Sequence, residues 1–304
     1  MIVKNFMDVL IDKIPVKDRQ RLLDSFVSKQ VLYVYNKIPF YKEMMDDKKI
    51  DPKRIKTIED FRRNIPVLTK NTLRNAGPFS LIDVEDLYGG GGKIYLNRGS
   101  GGTTGEPTGF FWSVDDWNAT VQTMVRGMFD VKLPARIIAF DGYNQGHIAG
   151  PIFDDTIRML NGLSIPRHFR ADDNVSLLQI KRYNANTIIA PPTSGSSKGG
   201  SVEDLLNSDK HGYITGKNIK MILHSSTPMT DALFSELFSL GIKQIVNFYG
   251  STDALPTAIS CLSDPRAMHI MNGHVLLEVI DNDGNHVSSG ERGHIIVSRI
   301  ASSN

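Results

Sequence analysis

The sequence predicts an α/β fold: layered, parallel-rich sheets flanked by helices, with a helical N-terminal segment and a small β unit at the C-terminal end. Three observations predict it. Residues 1 to about 76 read as helical. From there to about 255, short apolar runs alternate with amphipathic ones. After about 256 the helical pattern stops and hairpin patterning takes over. Strands alternating with helices are the pattern of a parallel sheet covered on both faces.

Each element follows from its local pattern. In "VKDRQRLLDSFVSKQVLYVYNKI" the apolar residues Leu22, Leu23, Phe26, Val27, Val31 and Val34 recur at helical spacing. Four glycines, 89–92, precede a short strand, Ile94–Leu96, and read as a hairpin or a disordered tip. Ser113 with Asp116 three residues on resembles a capping box for a helix through about Phe129. Then "ARIIAF" reads as strand, "FDDTIRMLNG" as helix and "LSIPRHF" as strand. "NVSLLQIKRY" is helix, "NTIIAPP" strand and "SVEDLLNS" helix. "IKMILHSS" is strand, "MTDALFSELFSLG" a helix closed by Gly241, and "KQIVNFY" strand. "PTAISCL", "HVLLEVIDNDGNHV" and "GHIIVSRI" form the small antiparallel unit, turning at Asp283-Gly284. The expected organisation is a helical segment, 1–76, an α/β core, 77–255, and a β subdomain, 256–304.

Composition removes several function classes. Lys and Arg number 35 against 33 Asp and Glu, a formal net charge of +2, so no basic field argues for nucleic acid. The single cysteine, Cys261, excludes an intramolecular disulfide and a cysteine-rich zinc site. It fits a reducing cytoplasm. Cys261 with His269 supplies two ligands, too few for a structural zinc, and a buried cysteine is the plainer reading. The opening "MIVKNFMDVLIDKIP" interrupts every apolar run with Lys or Asp, so it reads as neither signal peptide nor membrane span.

The stretch most informative about chemistry is "NRGSGGTTGEPTGFFW", 97–112. Residues with little side-chain bulk let successive backbone N–H groups point one way, with hydroxyls between them, which is how a loop wraps a polyphosphate. Two phosphate motifs fail. The P-loop needs Lys after its last glycine, but Glu106 follows Gly105. In G-x-G-x-x-G the third glycine would fall at Thr104. A Gly-rich surface turn remains the plain alternative.

"GSGGTTGEPTG" resembles the phosphate loop of the adenylate-forming superfamily (acyl- and aryl-coenzyme A ligases, adenylation domains, luciferases). Ser100, Gly102, Thr103, Thr104, Gly105 and Pro107 match, while Gly101 replaces a serine and Thr108 stands where many members carry Lys. "NFYGSTDA", 247–254, is similar to the family's Tyr-Gly-x-Thr/Ser-Glu, and "GERGHI", 290–295, to its Gly-Glu-x-Gly-Glu-Leu/Ile. Order and spacing resemble the phenylacetate–coenzyme A ligase branch over roughly 35–304.

That resemblance implies roles. Ser100, Gly101, Gly102, Thr103, Thr104 and Gly105 would hold the ATP phosphates. Tyr249 and Gly250, with Ser225, Ser226 and Thr227, would meet adenine. Thr252 would contact the α-phosphate and Asp253, one methylene shorter than the usual Glu, would hold Mg²⁺. Tyr143, His147 and Ile148 would line the acid pocket, though a surface turn is the plain alternative for Tyr143 and His147. His224 to Thr227 replace the family's Gly-Gly/Ala-Glu strand end. The implied reaction converts a small carboxylic acid and ATP to an acyl-adenylate, then a thioester of coenzyme A or of an acyl-carrier protein thiol. The family continues past "GERGHI" to a ribose-binding aspartate, a hinge and a lid bearing a lysine. This chain stops at "SRIASSN", so the expectation is a truncated core that binds ATP weakly and catalyses neither half-reaction usefully.

Two other classes remain. "GSSKG", 195–199, fits G-x-S-x-G, with Ser197 as a hydrolase nucleophile and Asp253 and His269 downstream, although Pro191-Pro192 end the strand early. A non-catalytic relative that binds a nucleotide or a partner is the other.

Overall fold

The computed structural model describes residues 14–83, 94–99, 109–129, 131–168, 171–194, 199–264 and 267–300, with backbone only at 94–99 and Gly109. It divides into two compact units, one of residues 1–119 with 270–304 and one of residues 120–269.

The first unit is built on α1 (Val16–Lys37), α2 (Pro39–Asp47), α3 (Ile58–Asn64) and α4 (Lys70–Ala76). Pro39 opens α2 at a position where a missing N–H costs nothing. Thr57 and Asp60 form a reciprocal capping box on α3, and Thr69 caps α4. Val27 and Val31, from the predicted apolar stripe, are buried against Met45, Ile55 and Ile58, with Leu23, Phe26 and Val34 beside them. The same cluster holds Leu276 and Ile300 from the far end of the chain.

Two antiparallel pairs complete this unit. β1 (Ile94–Gly99) pairs with β2 (Gly109–Ser113) in the register Gly99↔Gly109. The predicted phosphate-loop segment therefore lies between two paired strands. Residues 100–105 and the four glycines 89–92 lie outside the described residues. β10 (Val275–Ile280) pairs with β11 (His294–Arg299). Arg62 on α3 donates from Nε to Glu278 of β10 at 2.7 Å. Arg299 sits 5.1 Å over the Trp112 ring, donates to the Asp116 carbonyl at 3.2 Å and lies 3.3 Å from its carboxylate.

α5 (Val114–Gly127) follows β2 directly. Its start was legible: the Asp116 N–H donates to Ser113 Oγ at 3.0 Å, and that hydroxyl donates to the Asp116 carboxylate at 2.9 Å.

The second unit carries a seven-stranded sheet in the order β4-β3-β5-β6-β7-β8-β9. These are β3 (Ile138–Asp141), β4 (Leu163–Pro166), β5 (Thr187–Ile189), β6 (Met221–His224), β7 (Gln244–Tyr249), β8 (Ala258–Ser260) and β9 (Met268–Ile270). β4, β3, β5, β6 and β7 run parallel, with the register His224↔Asn247 between β6 and β7. The connecting helices are α6 (Ala149–Met159), α7 (Asp173–Arg182), α8 (Val202–Ser208) and α9 (Asp231–Ser239). Phe140, Ile188 and Ile222 from the strands bury against Leu177, Ile180, Leu205 and Leu237 from α7, α8 and α9. No described helix is long and apolar enough to cross a membrane.

Two elements differ from the sequence reading. α6 begins at Ala149 rather than at Phe153, because Gly150 and Pro151 occupy the first turn, where proline is tolerated. "PTAISCL" does not join the small β unit. As β8 it pairs antiparallel with β7, since the Thr257 N–H donates to the Tyr249 carbonyl at 2.8 Å and the Asn247 N–H to Ser260 Oγ at 2.9 Å.

The strand order reverses direction between β3 and β5, where a crevice normally opens at the carboxyl edge. Here the chain fills it. The Gly142 N–H donates to the Ile189 carbonyl at 2.7 Å, and a Cβ on Gly142 would stand 2.4 Å from the Gly200 carbonyl oxygen. Arg167 donates to the Gly199 carbonyl at 3.1 Å, and the Gly200 N–H to Asp173 at 2.7 Å. Gly142→Ala should therefore cost about 2 kcal/mol of unfolding free energy in urea titrations, the range for overpacking against immovable backbone. An unchanged midpoint would mean that the Gly199–Gly200 segment yields freely.

Candidate functional site

The carboxyl edge of the parallel sheet gathers most of the predicted site residues. β3 ends in Asp141 and leads to Tyr143, His147 and Ile148. β6 ends in His224 and leads to Ser225, Ser226 and Thr227. β7 ends in Tyr249 and leads to Gly250, Thr252 and Asp253. The six phosphate-loop positions, Ser100 to Gly105, and Ser197 lie outside the described residues.

Tyr249 is 42% exposed at its strand end, so a large aromatic face is open to solvent. Gly250 is closely approached: a Cβ there would lie 2.9 Å from Leu255 Cδ1, the flexible end of that side chain, and 3.2 Å from its Cα. Thr252 is buried, whereas Asp253 is exposed. Exposure spares the Asp253 carboxylate the desolvation cost of a buried charge. Among the described residues no three His, Cys, Asp or Glu side chains converge on a metal position. Asp253 would thus be a single hard oxygen donor, with the rest of a magnesium shell supplied by phosphate oxygens and water.

The β3 and β6 ends are joined by side chains. Tyr143 is buried, and its ring stacks on Phe153 at 5.7 Å, which in turn meets Phe248 of β7 edge-on at 5.5 Å. Its hydroxyl donates to the Ser225 carbonyl at 2.9 Å and accepts from the Ser225 N–H at 2.8 Å. Burial pushes that hydroxyl above the usual tyrosine range, so it stays protonated. His147 is half-buried, its Nδ1 accepts from the Ala149 N–H at 3.2 Å, and burial lowers its pKa. Ile148 is buried.

Sequence reasoning overlooked three features of this edge. Asp141 is fully buried, and burial first, then the neighbouring Asp154, pushes its carboxyl well above the carboxylate range. It accepts from the Tyr143 N–H at 2.8 Å. His224 is 3% exposed, and burial lowers its pKa to about 4. Among the described residues no hydrogen-bond partner reaches its Nδ1. Ser226 adopts φ +78°, the left-handed region that favours glycine. No periodicity announces any of these, because each depends on what surrounds a strand end.

Cys261 is half-exposed rather than buried, which corrects the reading from composition. It lies outside the large core because it follows the last paired residue of β8, and its sulfur is 3.0 Å from Ser263 Oγ. The Ser263 hydroxyl, nearby backbone N–H groups and His269 lower the thiol pKa to about 7. The hydrolase reading loses support as well, since β5 ends at Ile189 and residues 190–194 are not strand.

The family described as AMP-binding enzyme matches residues 100–302, and the chain belongs to that family. Among curated proteins it is similar to the phenylacetate-coenzyme A ligase of Thermus thermophilus, at 23% identity over 94% of this chain and 62% of that protein. It is also similar to the phenylacetate-coenzyme A ligase of Aromatoleum evansii, at 20% identity over 88% of this chain and 59% of that protein. The chain thus spans roughly three fifths of the curated relatives it matches. Among solved structures, 2-hydroxyisobutyryl-CoA ligase in complex with 2-HIB-AMP and CoA superimposes with a TM-score of 0.82 at 17% identity, over 97% of this chain and 62% of that one. That likeness establishes the fold.

Two titrations check this electrostatic description. His224 is neutral when folded and titrates near 6.5 when unfolded, so acid favours the unfolded state. The stability it contributes is present above pH 6.5 and lost as pH falls toward about 4. His224→Gln should flatten that part of the stability–pH curve, and an unchanged slope would remove His224 from it. For Cys261, the rate of iodoacetamide alkylation should rise to half its plateau near pH 7. A midpoint at the ordinary thiol value would contradict the hydrogen-bonding described.

Proposed function

We propose that the protein activates a carboxylic acid with ATP, forming an acyl-adenylate and pyrophosphate, and passes the acyl group to a thiol. The observation that carries this reading is the pairing of two turns at one sheet edge within the matched family segment. Ser225–Thr227 leaves β6 and Tyr249–Asp253 leaves β7, from strands hydrogen-bonded in register at His224↔Asn247.

The chemistry asks for little covalent help from the protein. A carboxylate is inert to a thiol because its leaving group would be oxide. Its attack on the α-phosphorus of ATP produces a mixed anhydride with a good leaving group and expels pyrophosphate. Negative charge then builds on the bridging oxygen and the departing phosphates, so oriented N–H groups and a cation serve better than a nucleophile. The glycine-rich segment Ser100–Gly105 suits the first need by composition. The Tyr249 face would stack on adenine, and the Thr252 hydroxyl would hold an α-phosphate oxygen. Asp253 would hold Mg²⁺, which supplies neutralising charge to the phosphates when bound. His147, neutral at physiological pH, and Ile148 would border the acid.

The relatives' names favour coenzyme A as the thiol over a carrier protein, and an aryl or short acyl acid as substrate. A non-catalytic nucleotide-binding relative is the second reading, favoured by Gly101, by Asp at 253 and by the His224–Thr227 segment. Acid-dependent ATP–pyrophosphate exchange by the whole protein, over a panel of aryl and short acyl acids, separates the two. Exchange with at least one acid is expected; AMP binding without exchange would favour the second reading.

Asp253→Ala tests the cation assignment. Magnesium-dependent ATP affinity should fall at least tenfold, while the thermal midpoint stays within about 2 °C, as for an exposed substitution. Unchanged ATP affinity in the presence of Mg²⁺ would take Asp253 out of the site.

A further inference from the structure

A tyrosine hydroxyl can donate one hydrogen bond and accept another. At Tyr143 this capacity is spent on one turn. The hydroxyl donates to the Ser225 carbonyl and accepts from the Ser225 N–H, at 2.9 and 2.8 Å, across 82 residues of sequence. The ring that carries the hydroxyl is held by the Phe153–Phe248 stack, so it cannot follow the turn if the turn moves. Within that turn the Thr227 N–H donates to the Ser225 carbonyl at 3.0 Å, and Ser226 stands at φ +78° with its side chain exposed. A residue with a Cβ holds that conformation only where its surroundings over-determine it.

We propose that Tyr143 is a positioning residue: its hydroxyl clamps the Ser225–Thr227 turn in the left-handed conformation and so presets Ser226 and Thr227 for the base of the nucleotide. The ligand half of this rests on the proposed function, but the clamp does not. The hydroxyl's one proton goes to the Ser225 carbonyl, leaving none to donate to the acid, so Tyr143 does not hold the carboxyl group. Its contribution is preorganisation. Without the clamp the turn samples other conformations, and nucleotide affinity falls by the fraction of time the competent one is absent.

The experiment compares Tyr143→Phe alone, with Ser226→Gly, and with Ser226→Ala. Phenylalanine keeps the stack on Phe153 and removes only the hydroxyl. In the ligand-free protein, Tyr143→Phe should speed hydrogen exchange at the Ser225 amide at least tenfold. AMP affinity by calorimetry should fall about tenfold. In pyrophosphate exchange, KM for ATP should rise while KM for the acid and the ranking of acids stay fixed. Adding Ser226→Gly should restore most of the AMP affinity, because glycine reaches φ +78° without strain, whereas Ser226→Ala should not.

An unchanged Ser225 exchange rate in Tyr143→Phe would overturn the clamp. A raised KM for the acid with AMP affinity intact would place the tyrosine at the acid instead. If the wild-type protein binds no AMP, the nucleotide reading fails, and the Ser225 amide still decides the clamp. Should Tyr143→Phe not fold, Ser226→Gly in the otherwise native chain decides it. Retained Ser225 protection is then expected, and lost protection would refute the clamp.

Discussion

Parallel strands that stop along one edge leave backbone groups with no further strand to pair with, and a buried N–H or C=O without a partner is costly. Much of the second unit can be understood as the answer to that requirement. The Gly142 N–H goes to Ile189, the Ala190 N–H to Leu223 at 3.1 Å, and the Arg167 N–H to Asp141 at 2.7 Å. Where β6 ends, a tyrosine side chain partners both backbone groups of Ser225, and the Thr227 N–H shares the carbonyl. The glycines at 142 and 200 belong to the same solution, since backbone can meet backbone there only without a Cβ. This arrangement closes the crevice at the switch point, while Ser226 and Thr227 just past β6 and Tyr249 at the end of β7 are exposed.

The same edge disfavours charge on its buried titratable groups. Burial and the neighbouring Asp154 raise the Asp141 pKa, burial lowers that of His224 to about 4, and burial raises that of Tyr143. Charge is thereby disfavoured in the buried layer, while Asp253 lies exposed at the surface. For a site proposed to handle a polyanion this separation matters, because a buried fixed anion would oppose phosphate binding over a distance that solvent screens poorly.

In the first unit, the ends of the chain share one core. Val27, Ile58, Leu276 and Ile300 pack together, and the Arg62–Glu278 pair joins α3 to β10. Arg299 ties β11 to the start of α5 through Trp112 and Asp116, immediately after the strand pair that carries the glycine-rich connection. A guanidinium stacked on an indole and shared with a carboxylate couples three segments distant in sequence.

By itself the sequence determined the elements whose signals are local. Helical spacing located α1, Ser113 with Asp116 located the start of α5, and the alternation of apolar runs gave the parallel sheet. It also determined the family, because the glycine-rich loop and "YGSTDA" are contiguous stretches whose chemistry survives without a fold. Tertiary structure alone decided the rest. β8 joined the large sheet because hydrogen bonds to β7 outcompeted the hairpin suggested by proximity. Tyr143 reads as a ligand in sequence, yet its hydroxyl is committed to Ser225, 82 residues away. Asp141, His224 and the left-handed Ser226 carry no pattern, because burial and strain belong to surroundings that only the folded chain assembles.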